Sequence, residues 1–273
     1  FEAKAALGGL EPGVLILEPI PLAEKQYAAQ EFGRIMQIDA YTARLQLPSR
    51  SWRLYRVGPI GELQVHVNAL QSASIPCFCE TLATLSQISI YPVSYFESVI
   101  PRVKVISDTR LGWEPITFDW SEVSQRVEGL LPLLEEYQEF NTRGQTQRKT
   151  KTLDYAQVCD LHLPKKKLIL RLCDQHYGFQ KGIVFSERQQ SKSEPTTLRD
   201  NWNQMMQYVK AQSPDVPVLS DFTPFAETAL EFAEPLRQMS PQVNILRTDE
   251  TPWDAAFELY SGLAFLKLTG RCP

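Results

Sequence analysis

The chain has 273 residues, of which 43% are hydrophobic and 22% are charged, a composition that excludes an intrinsically disordered protein. Its formal net charge of −4 argues against binding to polyanions over the whole surface, so basic residues have to be considered segment by segment. A chain of this length is expected to form two or three domains.

The sequence predicts a chain that stays in the cytoplasm. Its longest apolar runs fall short of the roughly 18 residues that a membrane helix needs, and its first residues lack a basic segment followed by an apolar core. Five cysteines are an odd and sparse set for a chain that is large enough to fold without disulfides. We therefore expect free thiols in a reducing compartment.

The first predicted domain, residues 10–85, contains the order strand, helix, strand twice. Short apolar or alternating runs predict the strands, and apolar residues at helical spacing predict the helices between them. Two such units in tandem are typical of a ferredoxin-like split β-α-β sandwich with a four-stranded antiparallel sheet. The predicted segments are strand 14–18, helix 22–36, strand 41–47, strand 52–57, helix 63–70 and strand 75–82.

The second predicted domain, residues 86–185, is a small antiparallel β domain with one short helix. Several extended segments follow each other at close spacing, which favours a sheet or a partly closed barrel. The short helix is predicted after Asp119, whose side chain would cap it together with Glu122 three residues later. The predicted strands are 88–96, 103–106, 115–118, 130–140, 155–163 and 168–173.

The last predicted region, residues 194–270, is a helical layer that packs on the rest of the chain. Thr197 and Asp200 have the spacing of a capping box before an apolar stripe, and Thr223 is a second candidate cap, followed by Pro224. The segment 255–268 is apolar on almost every side, which predicts a helix buried in the core.

A doubled Cys-x-x-His pattern suggests a metal site at first sight. Cys159 and His162 precede a lysine-rich turn, and Cys173 and His176 follow it. Cysteine and histidine at such spacing are zinc ligands in small knuckles. A hairpin, however, would place the two cysteines nearly opposite each other and send the two histidines in different directions. We therefore predict no metal and no cofactor at this place.

Cys77 and Cys79 are a second pair with possible redox chemistry. Residues two apart share one face of a strand, and redox pairs instead use a Cys-x-x-Cys at the start of a helix. Free cysteine is among the most buried residue types. We predict that both thiols line the helix-facing side of the first sheet together with Ile75.

One region of the chain is clearly basic. It contains two predicted loops, 142–152 and 163–168. If these loops meet, they form an anion-binding site for nucleic acid or an anionic membrane surface, and otherwise they are solvated loops. Four acidic residues, Glu128, Glu135, Glu136 and Glu139, would lie across the ladder and neutralise part of the charge. The candidate anion-binding residues are Arg143, Arg148, Lys149, Lys151, Lys165, Lys166 and Lys167.

Catalytic motifs are scarce in this sequence. It contains three histidines, and it has no nucleophile elbow, phosphate-binding loop, dinucleotide fingerprint or His-Glu-x-x-His helix. Asp221 and Glu227 are candidate carboxylates for acid–base chemistry, although a helix start at Thr223 explains the same segment.

Three segments carry a resemblance to a group of conserved cyanobacterial proteins with no established activity. They are 54–59 with 75–78, then 220–227, and 253–262. The resemblance implies a cyanobacterial host and assigns no catalytic or binding residue.

Together these observations favour a non-enzymatic protein-interaction or regulatory protein whose partner is another protein. Two other hypotheses stay open: an anion-binding module that uses the basic loops, and an enzyme with an unrecognised carboxylate or cysteine site.

Overall fold

The computed structural model shows an α+β protein with two β-sheets. It describes residues 9–109, 112–140, 146–185, 197–239, 241–243, 245 and 252–270, and for 134–140 and 146–153 it describes the main chain alone. The chain forms two compact units. The first comprises Phe1–Ser89, Ser220–Pro241 and Ala255–Pro273, and the second comprises Ile90–Leu219 and Gln242–Asp254.

The first unit is built on a three-stranded antiparallel sheet with β1 in its centre and β2 and β3 on either side. Two helices lie between β1 and β2 in the chain, one lies between β2 and β3, and the other helices of this unit follow β3. The elements are β1 (Pro12–Leu17), α1 (Lys25–Met36), α2 (Ala40–Gln46), β2 (Arg53–Pro59), α3 (Ile60–Ser72), β3 (Cys77–Thr81), α4 (Leu82–Ser86), α6 (Phe222–Ala229), α7 (Ala233–Arg237) and α8 (Trp253–Leu268).

Both faces of this sheet are covered by helices. On one face, Leu15, Leu17 and Cys77 form a core cluster with buried residues of α1 to α3. Because successive residues of a strand point to opposite faces, Phe78 faces the other way. There the ring of Phe78 lies 5.5 Å from that of Trp52, which lies 5.6 Å from the ring of Tyr260 on α8. The sheet is therefore the middle layer of this unit.

The predicted strand at 41–47 is wrong, because this segment is the helix α2. The Asp39 side chain caps the helix by accepting hydrogen bonds from the Thr42 main-chain N–H (2.9 Å) and hydroxyl (2.6 Å). The apolar alternation that suggested a strand separates into helical i, i+4 pairs. Ala43 and Leu47 are buried, and Tyr41 and Leu45 are exposed. The four-stranded ferredoxin-like sheet, which needs a strand here, is not confirmed.

The second unit contains a seven-stranded sheet in the order β10-β7-β8-β9-β4-β5-β6. The pairs β7–β8, β8–β9, β4–β5 and β5–β6 are antiparallel, and β10 runs parallel to β7. Its elements are β4 (Ser89–Ser98), β5 (Val103–Thr109), β6 (Gly112–Phe118), β7 (Gln125–Phe140), β8 (Thr146–Leu163), β9 (Leu168–Cys173), α5 (Leu198–Gln212) and β10 (Val218–Leu219).

Helix α5 covers one face of this sheet, as its apolar stripe predicted. Trp202, Met205, Met206 and Val209 are buried in one cluster with residues of β8, β9, β4 and β5. The predicted capping box is confirmed: the Asp200 main-chain N–H donates to the Thr197 hydroxyl at 3.1 Å, and the Asp200 carboxylate accepts from the Thr197 main chain.

The short helix predicted after Asp119 is a single 3-10 turn, Trp120–Glu122, but the predicted cap is wrong, because the Asp119 side chain makes no capping hydrogen bond to this turn. The Asp119 carboxylate instead forms an ion pair with Arg102 at 2.9 Å. The cap at Thr223 is also wrong, because α6 begins one residue earlier, at Phe222. An aspartate with a basic neighbour across the sheet has a competing partner, which sequence spacing does not reveal.

Helix α8 is buried as predicted, with Phe257, Leu259 and Leu263 fully inaccessible. The predicted boundary near residue 85 lies close to the Ser89–Ile90 boundary between the two units. Residues of the predicted third region occur in both units, since α5 belongs to the second unit and α6 to the first. The division into three domains stays a prediction.

Candidate interaction site

The predicted anion-binding lysines lie at the turn that connects β8 to β9. The turn begins with a 3-10 segment, Pro164–Lys166, and Lys167 closes it in a left-handed conformation with φ 57°. Lys165, Lys166 and Lys167 are all exposed. Lys166 Nζ lies 3.3 Å from a carboxylate oxygen of Glu122, so part of this charge is neutralised.

The remaining basic candidates lie at the far end of the same strand. Arg143 falls outside the described residues, whereas Arg148, Lys149 and Lys151 belong to β8 rather than to a loop. Lys151 and Lys165 are 14 positions apart, which corresponds to roughly 45 Å along an extended chain at about 3.3 Å per residue. The structure therefore does not bring the two basic segments together into one site.

The acidic residues of β7 lie across the ladder from the basic segment, as expected. The register pairs Glu135 with Lys151, Glu136 with Thr150 and Glu139 with Gln147, and it pairs Glu128 with Cys159 further along. Opposite charges at facing positions of an antiparallel pair stabilise it modestly. Of these facing pairs, Glu135 with Lys151 joins an acidic to a basic residue, so the register neutralises the basic segment only in part.

This outer part is a two-stranded arm. A register shift between Leu133 and Leu134 marks its base, and beyond it 134–140 of β7 pairs only with 146–152 of β8 among the described residues. On its other side β8 pairs with β9 only from Val158 onward, and β7 pairs with β10 only at Arg126 and Val127. We call residues 134–140 and 146–152 the arm.

The doubled Cys-x-x-His residues do not converge. Register pairs Cys159 with Leu172 and Cys173 with Val158, one residue away from the predicted arrangement. A shift of one residue places side chains on opposite faces of the sheet, so the two thiols point apart. His162 is fully buried and His176 is exposed. In the described part of the chain, no group of three or more His, Cys, Asp or Glu side chains has the arrangement of a metal site.

A buried ion pair occupies the inner part of β8. Arg171 on β9 faces Asp160 on β8. Its Nε donates a hydrogen bond of 2.8 Å to Oδ1 of Asp160, and its Nη2 donates one of 2.8 Å to Oδ2. Both side chains are about 1% exposed or less. His162 lies two residues further along β8, and its burial lowers the pKa of the imidazole to about 4.

Sequence reasoning missed this ion pair and the arm for related reasons. The pair depends on the register of the β8–β9 hairpin: because Cys159 faces Leu172, the next residue of β8, Asp160, faces Arg171. The β7 half of the arm lies within the predicted strand 130–140, whereas the β8 half, 146–152, was interpreted as part of a polar, basic loop because of its charges. Thr146, Thr150 and Thr152, however, are β-branched residues at alternate or nearby positions, which favour a strand.

The four described cysteines are free, as predicted, and Cys272 lies outside the described residues. Cys77 packs in the helix-facing cluster of the first sheet with Ile75, and Cys79 packs against that cluster, which confirms their predicted position. Burial raises the pKa of the Cys77 thiol to about 12 and that of Cys79 to about 11.

Asp221 and Glu227 are both exposed, and they are six residues apart around the start of α6. Six residues correspond to about 1.7 helical turns, so these positions do not lie on one face of the helix. The structure does not bring them together as a carboxylate pair.

Comparison with models of protein families, with curated proteins and with solved structures finds no match of any of the three kinds. Among the described residues, no helix combines the length and the apolar character that crossing a bilayer requires. The arm and the turn at Lys165–Lys167 are the candidate interaction surfaces of the second unit.

Proposed function

We propose that this chain is a non-enzymatic protein-interaction or regulatory protein, and that the arm is the surface that binds another protein. The observation that carries the proposal is the arm itself. A two-stranded β-ribbon in water is marginally stable at best, because it has little surface to bury. A partner that covers the arm would supply the missing contacts.

The edges of the arm are suited to binding a protein. Within the described residues, each arm strand is paired on one side only, so its other side offers a row of main-chain N–H and C=O groups. Proteins commonly extend such an edge with a strand from a partner. The shift in register at Leu134 also indicates a bulge, which bends the arm relative to the rest of the sheet.

The state of the thiols and of His162 supports a role without chemistry at these groups. A cysteine nucleophile requires a lowered pKa, and burial instead raises the pKa of Cys173 to about 12 and that of Cys159 well above its usual range. His162, with a lowered pKa and full burial, is positioned inside the sheet rather than at a surface.

The proposed setting is the cytoplasm of a cyanobacterium. Free thiols support a reducing compartment, and the segment resemblance supports the host.

A second candidate function is anion binding at the turn. Lys165 and Lys167 are exposed side by side with Lys166, and this favours contact with phosphate groups of nucleic acid or of a membrane. The ion pair between Lys166 and Glu122 reduces the local charge, so we rank this candidate below protein binding.

Site-specific photocrosslinking in cells of the source organism tests the proposal. A crosslinking amino acid is placed at Lys149 in the arm and, as a matched control, at Lys165 in the turn at the opposite end of β8. We expect one protein to be crosslinked from position 149 and not from position 165. Crosslinks to nucleic acid or lipid from position 165, with none to protein from position 149, would establish the anion-binding function instead.

A further inference from the structure

The two strands of the arm carry opposite charges. The part of β8 in the arm, 146–152, contains Arg148, Lys149 and Lys151 and no acidic residue. The part of β7 in the arm, 134–140, contains Glu135, Glu136 and Glu139 and no basic residue. A strand added beside β8 would therefore lie next to basic residues, and one added beside β7 would lie next to acidic residues.

The edge of β8 is left free by β9 up to Val158, and one bulge interrupts it where the register shift leaves Leu153 without a facing residue on β7. Between positions 146 and 156, β8 contains neither proline nor glycine, and its pairing with β9 begins only at Val158. The edge of β7 is interrupted just below the arm by Pro132, which has no N–H to donate, and β10 occupies it at Arg126 and Val127. The β8 edge thus has no proline to interrupt the pairing of an added strand, whereas the β7 edge has one at Pro132.

The charges also determine which partner fits. A symmetric pairing of two β8 edges from two copies would bring Arg148, Lys149 and Lys151 against the same residues of the second copy, and like charges at facing positions are destabilising. Pairing of β8 with β7 of another copy is head to tail, so it continues from copy to copy as a ring or an open fibre. Neither arrangement gives a closed dimer.

We infer that the arm binds an extended acidic segment of a different protein, which adds as a strand to the edge of β8 at residues 146–156. Main-chain hydrogen bonds along this edge hold the segment, and its glutamates or aspartates lie opposite the basic residues of β8. The inference rests on the proposed protein-binding role of the arm and specifies the chemistry of the partner.

The experiment uses the purified full chain and three fluorescent peptides of about 11 residues, the length of the β8 edge from position 146 to 156. The first alternates glutamate with threonine, the second alternates lysine with threonine, and the third is acidic but carries proline at alternate positions so that it cannot pair as a strand. We expect saturable binding of the first peptide alone, measured by fluorescence anisotropy, with an affinity that falls as salt is added.

Two charge-reversal variants locate the site. Lys149→Glu with Lys151→Glu should weaken binding of the acidic peptide by roughly tenfold or more. Lys165→Glu with Lys167→Glu makes the same change in charge at the other end of β8 and should leave the affinity within about twofold. The milder pair Lys149→Gln with Lys151→Gln gives an intermediate loss and serves if the reversal lowers the melting temperature.

Several outcomes would overturn the inference. Equal binding of the proline-containing peptide would mean charge attraction without strand addition, and equal loss in the variants at 165 and 167 would place the site at the turn. Binding of the lysine peptide alone would indicate a basic partner on β7, and self-association through the arm, seen by sedimentation, would make a second copy the occupant. If no peptide binds but position 149 still gives a protein crosslink, the acidic segment is rejected and the proposed function stands. If no peptide binds and that crosslink is also absent, both are rejected.

Discussion

The two ends of β8 differ in the number of strands that pair with them. At the inner end, Asp160 lies between β7 and β9 and is fully buried in its pair with Arg171. At the outer end, Lys149 and Lys151 pair with β7 alone among the described residues. The same strand thus uses charge inside the fold at one end and, in our proposal, for recognition at the other.

The number of neighbouring strands determines what a charge on β8 contributes. A buried charge that loses its partner is strongly destabilising, because its desolvation is no longer compensated. A charge at an exposed edge is solvated with or without a partner and contributes little to stability. Substitutions at the inner end should therefore change stability, and those at the outer end should change binding.

The largest effect is expected for Asp160→Ala. It leaves the Arg171 guanidinium buried without its carboxylate, and we expect the free energy of unfolding to fall by about 3–5 kcal/mol in urea titrations. Replacing both partners, Asp160→Leu with Arg171→Met, should recover a large part of this loss. If the single substitution costs less than about 1 kcal/mol, the inner end of β8 is solvated and the contrast between the two ends disappears.

A smaller effect is expected from pH, because of His162. Burial lowers its pKa from 6.5 to about 4, so below pH 6.5 the unfolded chain takes up a proton that the folded chain does not. Stability from this group is fully present above pH 6.5 and falls between pH 6.5 and 4, by on the order of 3 kcal/mol.

The pH dependence is isolated by comparing two substitutions. His162→Gln should flatten the stability curve between pH 6.5 and 4, and His176→Gln, at an exposed position, should leave it as in the parent protein. Urea titrations at a series of pH values provide the measurement. An unchanged slope in His162→Gln would mean that other groups cause the acid sensitivity.

A third prediction concerns the helix that covers the inner sheet. Thr197→Ala removes the capping hydrogen bond of α5, so we expect a loss of about 1 kcal/mol in thermal or urea unfolding. Thr197→Ser retains the hydroxyl and should lose only a small part of this. Equal losses in both variants would show that the methyl group of Thr197, rather than its cap, supports the helix.

The smallest effect is expected at the turn. Replacing Lys165, Lys166 and Lys167 by glutamine should change the free energy of unfolding by less than about 0.5 kcal/mol, because these charges are exposed and, in the described part of the chain, only Lys166 has a surface ion pair.

The same triple variant compares the two candidate functions. We expect the parent protein and the variant to bind duplex DNA, single-stranded RNA and anionic vesicles equally weakly at moderate salt. Saturable binding by the parent protein, with a salt dependence that decreases in the variant, would favour the anion-binding function.

Local sequence signals identified most elements of the fold. Strand β9 was predicted at its observed bounds, and the stripe of α5, its capping box at Thr197 and the burial of α8 were all correct. These features depend on residues close in the chain, through periodicity and capping. The segment at 41–47 was misjudged because four alternating apolar residues fit a strand and also fit two helical pairs.

The candidate site was less accessible from the sequence. The basic residues were found, but they were expected in two loops that meet, whereas the long strand β8 separates them. The length of β8 and the register that offsets Cys159 from Cys173 by one residue depend on pairing with other strands. Composition does not encode this pairing.

Neighbouring residues in the sequence are enough to predict an α+β chain with free thiols, a capped amphipathic helix at Leu198–Gln212 and an apolar helix near residue 260, because periodicity and capping are local. The burial of a particular charge depends instead on strand pairing. Asp160 and Lys151 lie on one strand, but among the described residues only Asp160 has a strand on each side, and such pairing joins residues far apart in the chain.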